Sequence, residues 1–496
     1  MLKERLRCEK LKKKLTTAKE ASMYIKDGML VGTSGFTAAG YPKAVPLALA
    51  ERSKTGEDLE ISIITGASVG DELDGALSRA KIIKKRYPYQ TNKDSRNCIN
   101  DGTMEYCDMH LSHTSQWIKY NFFGDIDIAL VEAVAITEEG GIIPSTSVGN
   151  TNVLIEKAKK VIVEINTSQP LELEGIHDIY TTENPPNRKP IPIVKVNDRI
   201  GINFIPCDIE KIVAIVETDI SDKTRKVSEI DEVSKKISNN LINFLENEVK
   251  GQNKKLLPLQ SGVGSVANAV LGGLVKSDFE NITLYSEVLQ DSVLDLIDSG
   301  KVDFASATAI TISPKRLQDF YENIEKYKDK IILRPQEISN NPEVIRRLGV
   351  ISLNTAMEVD IYGNVNSTNV LGSGMINGIG GSGDYTRNAY LSIFTTESIA
   401  KNGDISSIVP MVSHHDHTEH DVNVIVTEQG VADLRGLCPR DRAKVIIEKC
   451  AHPDYKEKLL DYYTKALKGG KYKHTPHNLS KALSWHEKYI KTGSMK

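Results

Sequence analysis

The chain has no apolar run approaching the roughly 20 residues that a membrane-spanning helix needs, so no helical span is expected. It has no excess of either charge. Its 63 basic residues nearly cancel 66 acidic ones, leaving a net charge of −3, which argues against a general nucleic-acid binder, whose contact surface must be basic. It has no close pair of cysteines: Cys8, Cys98, Cys107, Cys207, Cys438 and Cys450 are scattered. Neither a zinc knuckle nor a disulfide framework is suggested, and free thiols point to a reducing compartment. The basic start, MLKERLRCEKLKKKL, lacks a continuous apolar segment and carries glutamates, unlike a secretory or transit peptide. No short repeat or low-complexity tract is present. A cytoplasmic chain is expected, with neither nucleic acid nor membrane as partner.

What is present is ordinary globular composition, 40% hydrophobic and 26% charged over 496 residues. A chain of that length exceeds what one core usually supports, so two core-bearing domains are expected. After a helical stretch ending near Asp27-Gly28, apolar β-branched runs recur at 59–65, 126–133, 160–166 and 211–219. Apolar runs without alternation suit strands buried on both faces, as in a parallel sheet with helical crossovers. The charge-rich segment SDKTRKVSEIDE, 221–232, reads as a linker. Strand-like runs then return at 282–288, 302–311, 331–334, 389–396, 405–412 and 422–427, with helical candidates at 265–276, 291–299 and 314–330. The reading is α/β: a domain at 1–222 and another at 223–496, each with a largely parallel sheet, and a cleft between them. Ligands collect at the carboxyl ends of such strands, so the loops that follow strands are where chemistry is sought.

Five segments carry candidate chemistry. In LYSEVLQD (284–291) a lone glutamate, Glu287, follows an apolar strand. A carboxylate there can serve as a nucleophile, or can simply open a helix favoured by its dipole. Two glycine-rich turns, QSGVGS (260–265) and GIGGSGD (378–384), could offer backbone N–H groups to an anion. The second satisfies G-x-G-x-x-G, the pattern of a NAD-dependent oxidoreductase, but no strand-like run precedes it. SHHDHTEHD (413–421) gathers four histidines and three carboxylates. It admits a metal site, or side chains that bond one another and nearby backbone. TEQGVADLRG (427–436) puts Glu428 after a strand, and RPQEISNNP (334–342) puts Asn340 in a proline-bounded loop.

Taken together these segments resemble the acetyl-CoA hydrolase/transferase family, and within it the longer CoA-transferases. The carrying motifs are SGVGSVANAV, YSEVLQDS, RPQEISN, MINGIGGSGDYTRNAYLSIF, ISSIVPMVSHHDHTEHDV and TEQGVADLRGLCPRDRA. In the first half they are GFTAAGYPKAVP, TGAS, AITEEGGIIPSTSVGN and GIHDIY. The resemblance implies a CoA-transferase-like pair of α/β domains. It also implies coenzyme A as a substrate, no metal, and a ping-pong transfer of CoA from succinyl-CoA to acetate or a similar acid. Glu287 matches the glutamate that becomes a glutamyl-CoA thioester. Val263 and Gly381 match backbone oxyanion donors. Gln260, Ser261, Gly262, Val263, Gly264, Asn377, Gly381 and Lys401 match the CoA site, and Ser68, Asn340 and Glu428 match groups around the reacting carbonyls. Acyl-CoA hydrolysis on the same scaffold is the alternative activity, and a non-catalytic CoA-binding module is the alternative class. A homodimer is expected. Arg225, Arg334 and Arg387 are the candidates for succinate's second carboxylate.

Overall fold

The computed structural model describes residues 2–224, 230–250, 255–262 and 264–496. Val263 and Arg225, both singled out above, lie outside the described residues.

Two sheets organise the chain. The first contains β1 (Leu30–Thr33), β2 (Ile61–Ile64), β3 (Ile83–Tyr87), β4 (Glu105–Tyr106), β5 (Ile128–Ala133), β6 (Lys160–Asn166) and β7 (Ile212–Thr218). Their spatial order is β7-β6-β5-β1-β2-β3-β4 and every pairing is parallel. The second contains β8 (Leu259–Ser261), β9 (Ile282–Tyr285), β10 (Val302–Ala307), β11 (Ile331–Leu333), β12 (Ile351–Thr355), β13 (Leu391–Thr395), β14 (Val424–Thr427) and β15 (Gly430–Asp433). Here the order is β11-β10-β9-β8-β12-β13-β14-β15, and only the edge hairpin β14–β15 is antiparallel.

The apolar run of β6 is buried from Val161 to Asn166, which is why it reads as continuous rather than alternating. Each such aliphatic side chain contributes about 1.5–3 kcal/mol by leaving water. The largest apolar cluster is shared by the two sheets, joining Val131 and Val163 to Leu284, Ile310 and Leu353. In the second sheet the chain runs outward from β8 to β11 and then returns to β12 on the other side of β8. The crevice beside β8 is therefore a topological switch point, where ligands gather in α/β sheets.

Several expected elements differ. The N-terminal helical stretch is three short pieces, Leu2–Arg5, Glu9–Lys14 and Ala18–Ser22. Arg5 is drawn inward to donate to the carbonyls of Val134 and Gln169, and a capping box of Thr17 and Glu20 starts the last piece afresh. The run 405–412 forms two short strands, Ile405–Ser406 and Ile408–Val409, outside the main sheets. The 314–330 helix breaks at Asn323. The segment expected as a linker begins inside the first half's core: Asp222 is buried, 2.9 Å from Lys43 Nζ, and accepts from Thr146 Oγ1 at 2.6 Å.

The strands read at 282–288 and 302–311 both break one turn early, and the breaks face each other. β9 stops at Tyr285 and β10 at Ala307, after which Val288–Leu289 pairs with Ala309–Ile310 in a separate ribbon. Glu287 sits at that kink.

Candidate active site

The kink is held by backbone. The N–H groups of Thr308 and Ala309 donate to the Glu287 carbonyl at 2.9 and 3.1 Å. The first half braces the same turn, since Val148 N–H donates to Thr308 O and Ile310 N–H to Thr146 O, both at 2.9 Å. The main chain of Glu287 is thus fixed from both halves, while its side chain is left to project.

That side chain is partly buried and meets two donors. Asn340 Nδ2 lies 2.8 Å from Glu287 Oε1, and the Gly381 amide bonds to the same carboxylate. Asn340 ends a short helical turn, α1 (Gln336–Ser339), whose carbonyls are tied down by two buried tyrosines. Tyr285 donates to Ile338 O at 2.5 Å and Tyr385 to Ser339 O at 2.6 Å. Gly381 precedes α2 (Ser382–Asn388), and any Cβ there would overlap Glu287 Oε1 and the Asn340 amide. Only glycine permits this approach.

A second carboxyl completes the cluster. Asp384 is 4% exposed and receives Ser112 N–H at 2.9 Å and Ser112 Oγ at 2.5 Å, with Asn340 Nδ2 at 3.3 Å. Burial pushes Glu287 up to about 7, opposed by the Asn340 bond and reinforced by the charge of Asp384. Burial likewise pushes Asp384 up to about 7. A carboxyl poised there can be ionised and strongly nucleophilic near neutrality.

The glycine turn after β8 is clasped by one side chain. Gln290 Nε2 donates to Gly262 O at 2.7 Å and Gln290 Oε1 accepts from Gly264 N–H at 3.4 Å. Gly264 has φ of 134°, a conformation open to glycine. Gln260 is fully buried and donates to Asn354 at 3.2 Å, while Ser261 N–H reaches Ser286 Oγ at 3.4 Å. Asn377 donates to Ser367 O at 2.8 Å and to its neighbour's carbonyl, Gly378 O, at 3.1 Å. The loop around it is gripped by the first half, with Gly378 N–H on Gln90 O at 3.0 Å and Ile379 N–H on Asp108 at 2.7 Å. Lys401 is exposed on a left-handed turn with Asn402.

The structure therefore brings Asn340 and Gly381 to Glu287. The hydroxyl of Ser68 is engaged elsewhere, donating to Asp74 at 2.6 Å in a buried network with Arg86, although its neighbour Ala67 packs with Val288 beside the nucleophile. Glu428 accepts from Ser398 N–H at 2.9 Å and from the Ser398 hydroxyl. Arg334 is buried, ion-paired with Asp178 and donating to Ser306 Oγ at 2.8 Å, so it is committed to structure. Arg387 is exposed, 3.7 Å from Asp421. In the histidine-rich segment, His417 is buried against Phe394 and 3.1 Å from Ser382 Oγ, and Asp416 accepts from Ser367 N–H at 2.6 Å. Among the described residues no group of three His, Cys, Asp or Glu side chains could hold a metal ion. Sequence reading missed Asp384, Ser112 and Gln290. Asp384 stood in a quoted motif, but nothing there marked it apart from the glycines around it.

The two largely parallel sheets define an α/β architecture shared with RipA from Yersinia pestis. That fold matches at a TM-score of 0.72 and 24% identity, over 92% of this chain and 98% of RipA. Residues 1–217 match the acetyl-CoA hydrolase/transferase N-terminal domain, and residues 317–463 match the acetyl-CoA hydrolase/transferase C-terminal domain. The chain belongs to the acetyl-CoA hydrolase/transferase family. It is 61% identical to the succinyl-CoA:acetate CoA-transferase of Clostridium kluyveri, over 99% of this chain and 92% of that protein. It is 45% identical to an acetyl-CoA hydrolase of Saccharomyces cerevisiae, over 100% of this chain and 98% of that protein.

Proposed function

We propose that this chain is a CoA-transferase that moves CoA from succinyl-CoA to acetate or a similar short carboxylate, with Glu287 as the covalent carrier. The observation that carries this reading is the Glu287 carboxyl, pushed up to about 7 by burial and met by Asn340 and Gly381. The 61% identity to the Clostridium kluyveri enzyme supports the choice of substrates.

Ionised Glu287 attacks the thioester carbonyl of the donor, the C–S bond breaks, and CoA thiolate leaves behind a mixed anhydride. The thiolate attacks the glutamyl carbonyl, which frees the donor acid and forms glutamyl-CoA. The acceptor carboxylate attacks that thioester, releasing thiolate and forming a second anhydride. The thiolate then attacks the acyl carbonyl of this anhydride, giving the new acyl-CoA and returning the Glu287 carboxylate. One thioester is present before and after, so no external energy source enters.

Each attack builds an oxyanion, and a single positioned donor is worth about 3–4 kcal/mol in such a site. The Gly381 amide and that of Val263 take this role in the proposal. Gln260, Ser261, Gly262 and Gly264, at the switch point beside β8, line the path of CoA in this proposal together with Asn377 and Lys401. Asn340 orients the carboxylate, and Ser68 and Glu428 flank the acyl groups. Arg387 and Arg225 remain the candidates for the distal carboxylate of succinate. We place the domain boundary at 222/223, the protein in the cytoplasm, on its free cysteines, and its assembly as a homodimer. Among the described residues no helix is long and apolar enough to cross a membrane.

Water must be kept from the glutamyl thioester, since its attack would turn transfer into hydrolysis. Initial-rate kinetics test the scheme. Parallel double-reciprocal lines, with CoA release that requires an acceptor acid, are expected. Intersecting lines contradict the covalent carrier, and acceptor-independent release makes the chain a hydrolase.

A further inference from the structure

This inference rests on the reading of Glu287 as the nucleophile. We propose that Asp384 is a positioning residue for that nucleophile: it fixes the sense of the Asn340 amide and, through Ser112, makes the setting of Glu287 depend on the docking of the first half.

A primary amide has two hydrogens to give and one oxygen to receive. In Asn340 all are engaged. Nδ2 serves Glu287 Oε1 at 2.8 Å and Asp384 Oδ2 at 3.3 Å, while Oδ1 accepts from Ser339 Oγ at 3.0 Å. Without Asp384, rotation of the amide by half a turn would present Oδ1 to Glu287, setting acceptor against acceptor. The second carboxylate makes that rotamer unfavourable, because it too requires the NH2 face.

Asp384 is an expensive way to fill this space. It is 4% exposed and, among the described residues, no lysine or arginine forms an ion pair with it. Burying a carboxyl on neutral donors costs stability that an apolar or amide side chain would not. The charge is therefore useful at this position for something other than folding.

Its other partner lies in the first half. Ser112 supplies both a backbone N–H and a hydroxyl, and belongs to the helix Leu111–Lys119 of the first half. The residue before it, Leu111, accepts from Gln336 Nε2 at 2.9 Å, on the same turn that ends in Asn340. The start of one helix thus touches both segments that carry donors to Glu287. The ionisable groups facing Asp384 are Glu287 across the amide, Tyr385 beside it, His110 packed against Gly383, and Arg387 one turn further along the same helix.

The test compares wild type with Asp384→Asn and Ser112→Ala, measuring kcat, KM for succinyl-CoA, the pH profile of kcat/KM, and the mass of enzyme incubated with succinyl-CoA alone. Asp384→Asn should lower kcat by about 100-fold, the scale of one lost orienting or charge-stabilising contact, with KM changed by less than about 3-fold. Its acid limb should move to lower pH, because a negative neighbour of Glu287 is gone. Ser112→Ala, which keeps the backbone N–H, should lower kcat by about 10-fold and leave the limb in place. A purely structural role would reduce the folded fraction without moving the limb. If Asp384→Asn fails to fold, Ser112→Ala decides alone: unchanged kcat overturns the proposal. Wild-type kcat and an unmoved limb in folded Asp384→Asn also overturn it. If wild type itself never gains the mass of CoA, the nucleophile reading fails instead, so the two failures are distinguishable.

Discussion

The Asn340 side-chain nitrogen stands 2.8 Å from Oε1 of Glu287, at the end of a helical turn whose carbonyls are pinned by two buried tyrosines. The donor is preorganised, so little has to rearrange when the carboxylate is called upon. Asn340→Ala should lower kcat by about 100- to 1,000-fold, as loss of one preorganised donor does in other sites. Steady-state kinetics on the folded variant check this, and a change confined to KM would assign Asn340 to binding.

The nucleophile must be ionised to attack, and Glu287 is held up to about 7. Below that value it becomes a neutral acid. The expected result is kcat/KM falling about tenfold per unit as pH drops beneath the limb, with a plateau above it. A rate profile for succinyl-CoA between about pH 5 and 9 checks it. A limb near the ordinary glutamate value would mean that burial does not control this group.

The same shift acts on stability. A carboxyl raised from 4.5 to about 7 in the folded protein holds its proton while the unfolded chain has already lost its own. Stability therefore falls as pH rises from about 4.5 to about 7, and then levels off. At about 1.4 kcal/mol per unit, Glu287→Gln should be more stable than wild type by about 3–4 kcal/mol at alkaline pH and equal to it below the unfolded-state value. Denaturant titrations at two pH values measure the difference, and the same variant should transfer no CoA.

Arg334 illustrates a residue whose chemistry suits a substrate but whose surroundings have claimed it. It is fully buried and paired with Asp178. Removing one partner of a buried pair leaves an uncompensated charge, so Arg334→Met should cost about 3–5 kcal/mol. Thermal unfolding and acceptor-acid competition separate the outcomes. A stable variant with altered preference for succinate would return Arg334 to the substrate site.

What sequence reveals here depends on how far apart the partners are. The run 160–166 is legible as a strand because its residues are buried on both faces, and Glu287 is legible as a lone charge after an apolar run. Strand β8 is only three residues, Leu-Gln-Ser, too short for any period, yet it marks the switch point. Asp384 was hidden for a different reason. Its partners Asn340 and Ser112 lie 44 and 272 residues away, and its bonds to Ser112 exist only after the two halves meet. The hydroxyl of Ser68 and the carboxylate of Glu428 show the converse, since their nearest hydrogen-bond partners, Asp74 and Ser398, are not residues of the Glu287 cluster.

Intact-mass and peptide mass spectrometry of the purified protein, quenched after incubation with succinyl-CoA and no acceptor, tests the central claim most directly. The account predicts a gain equal to CoA minus water, mapped to the peptide bearing Glu287 and absent from Glu287→Gln. Protein that exchanges CoA between acids while never acquiring that mass would contradict it.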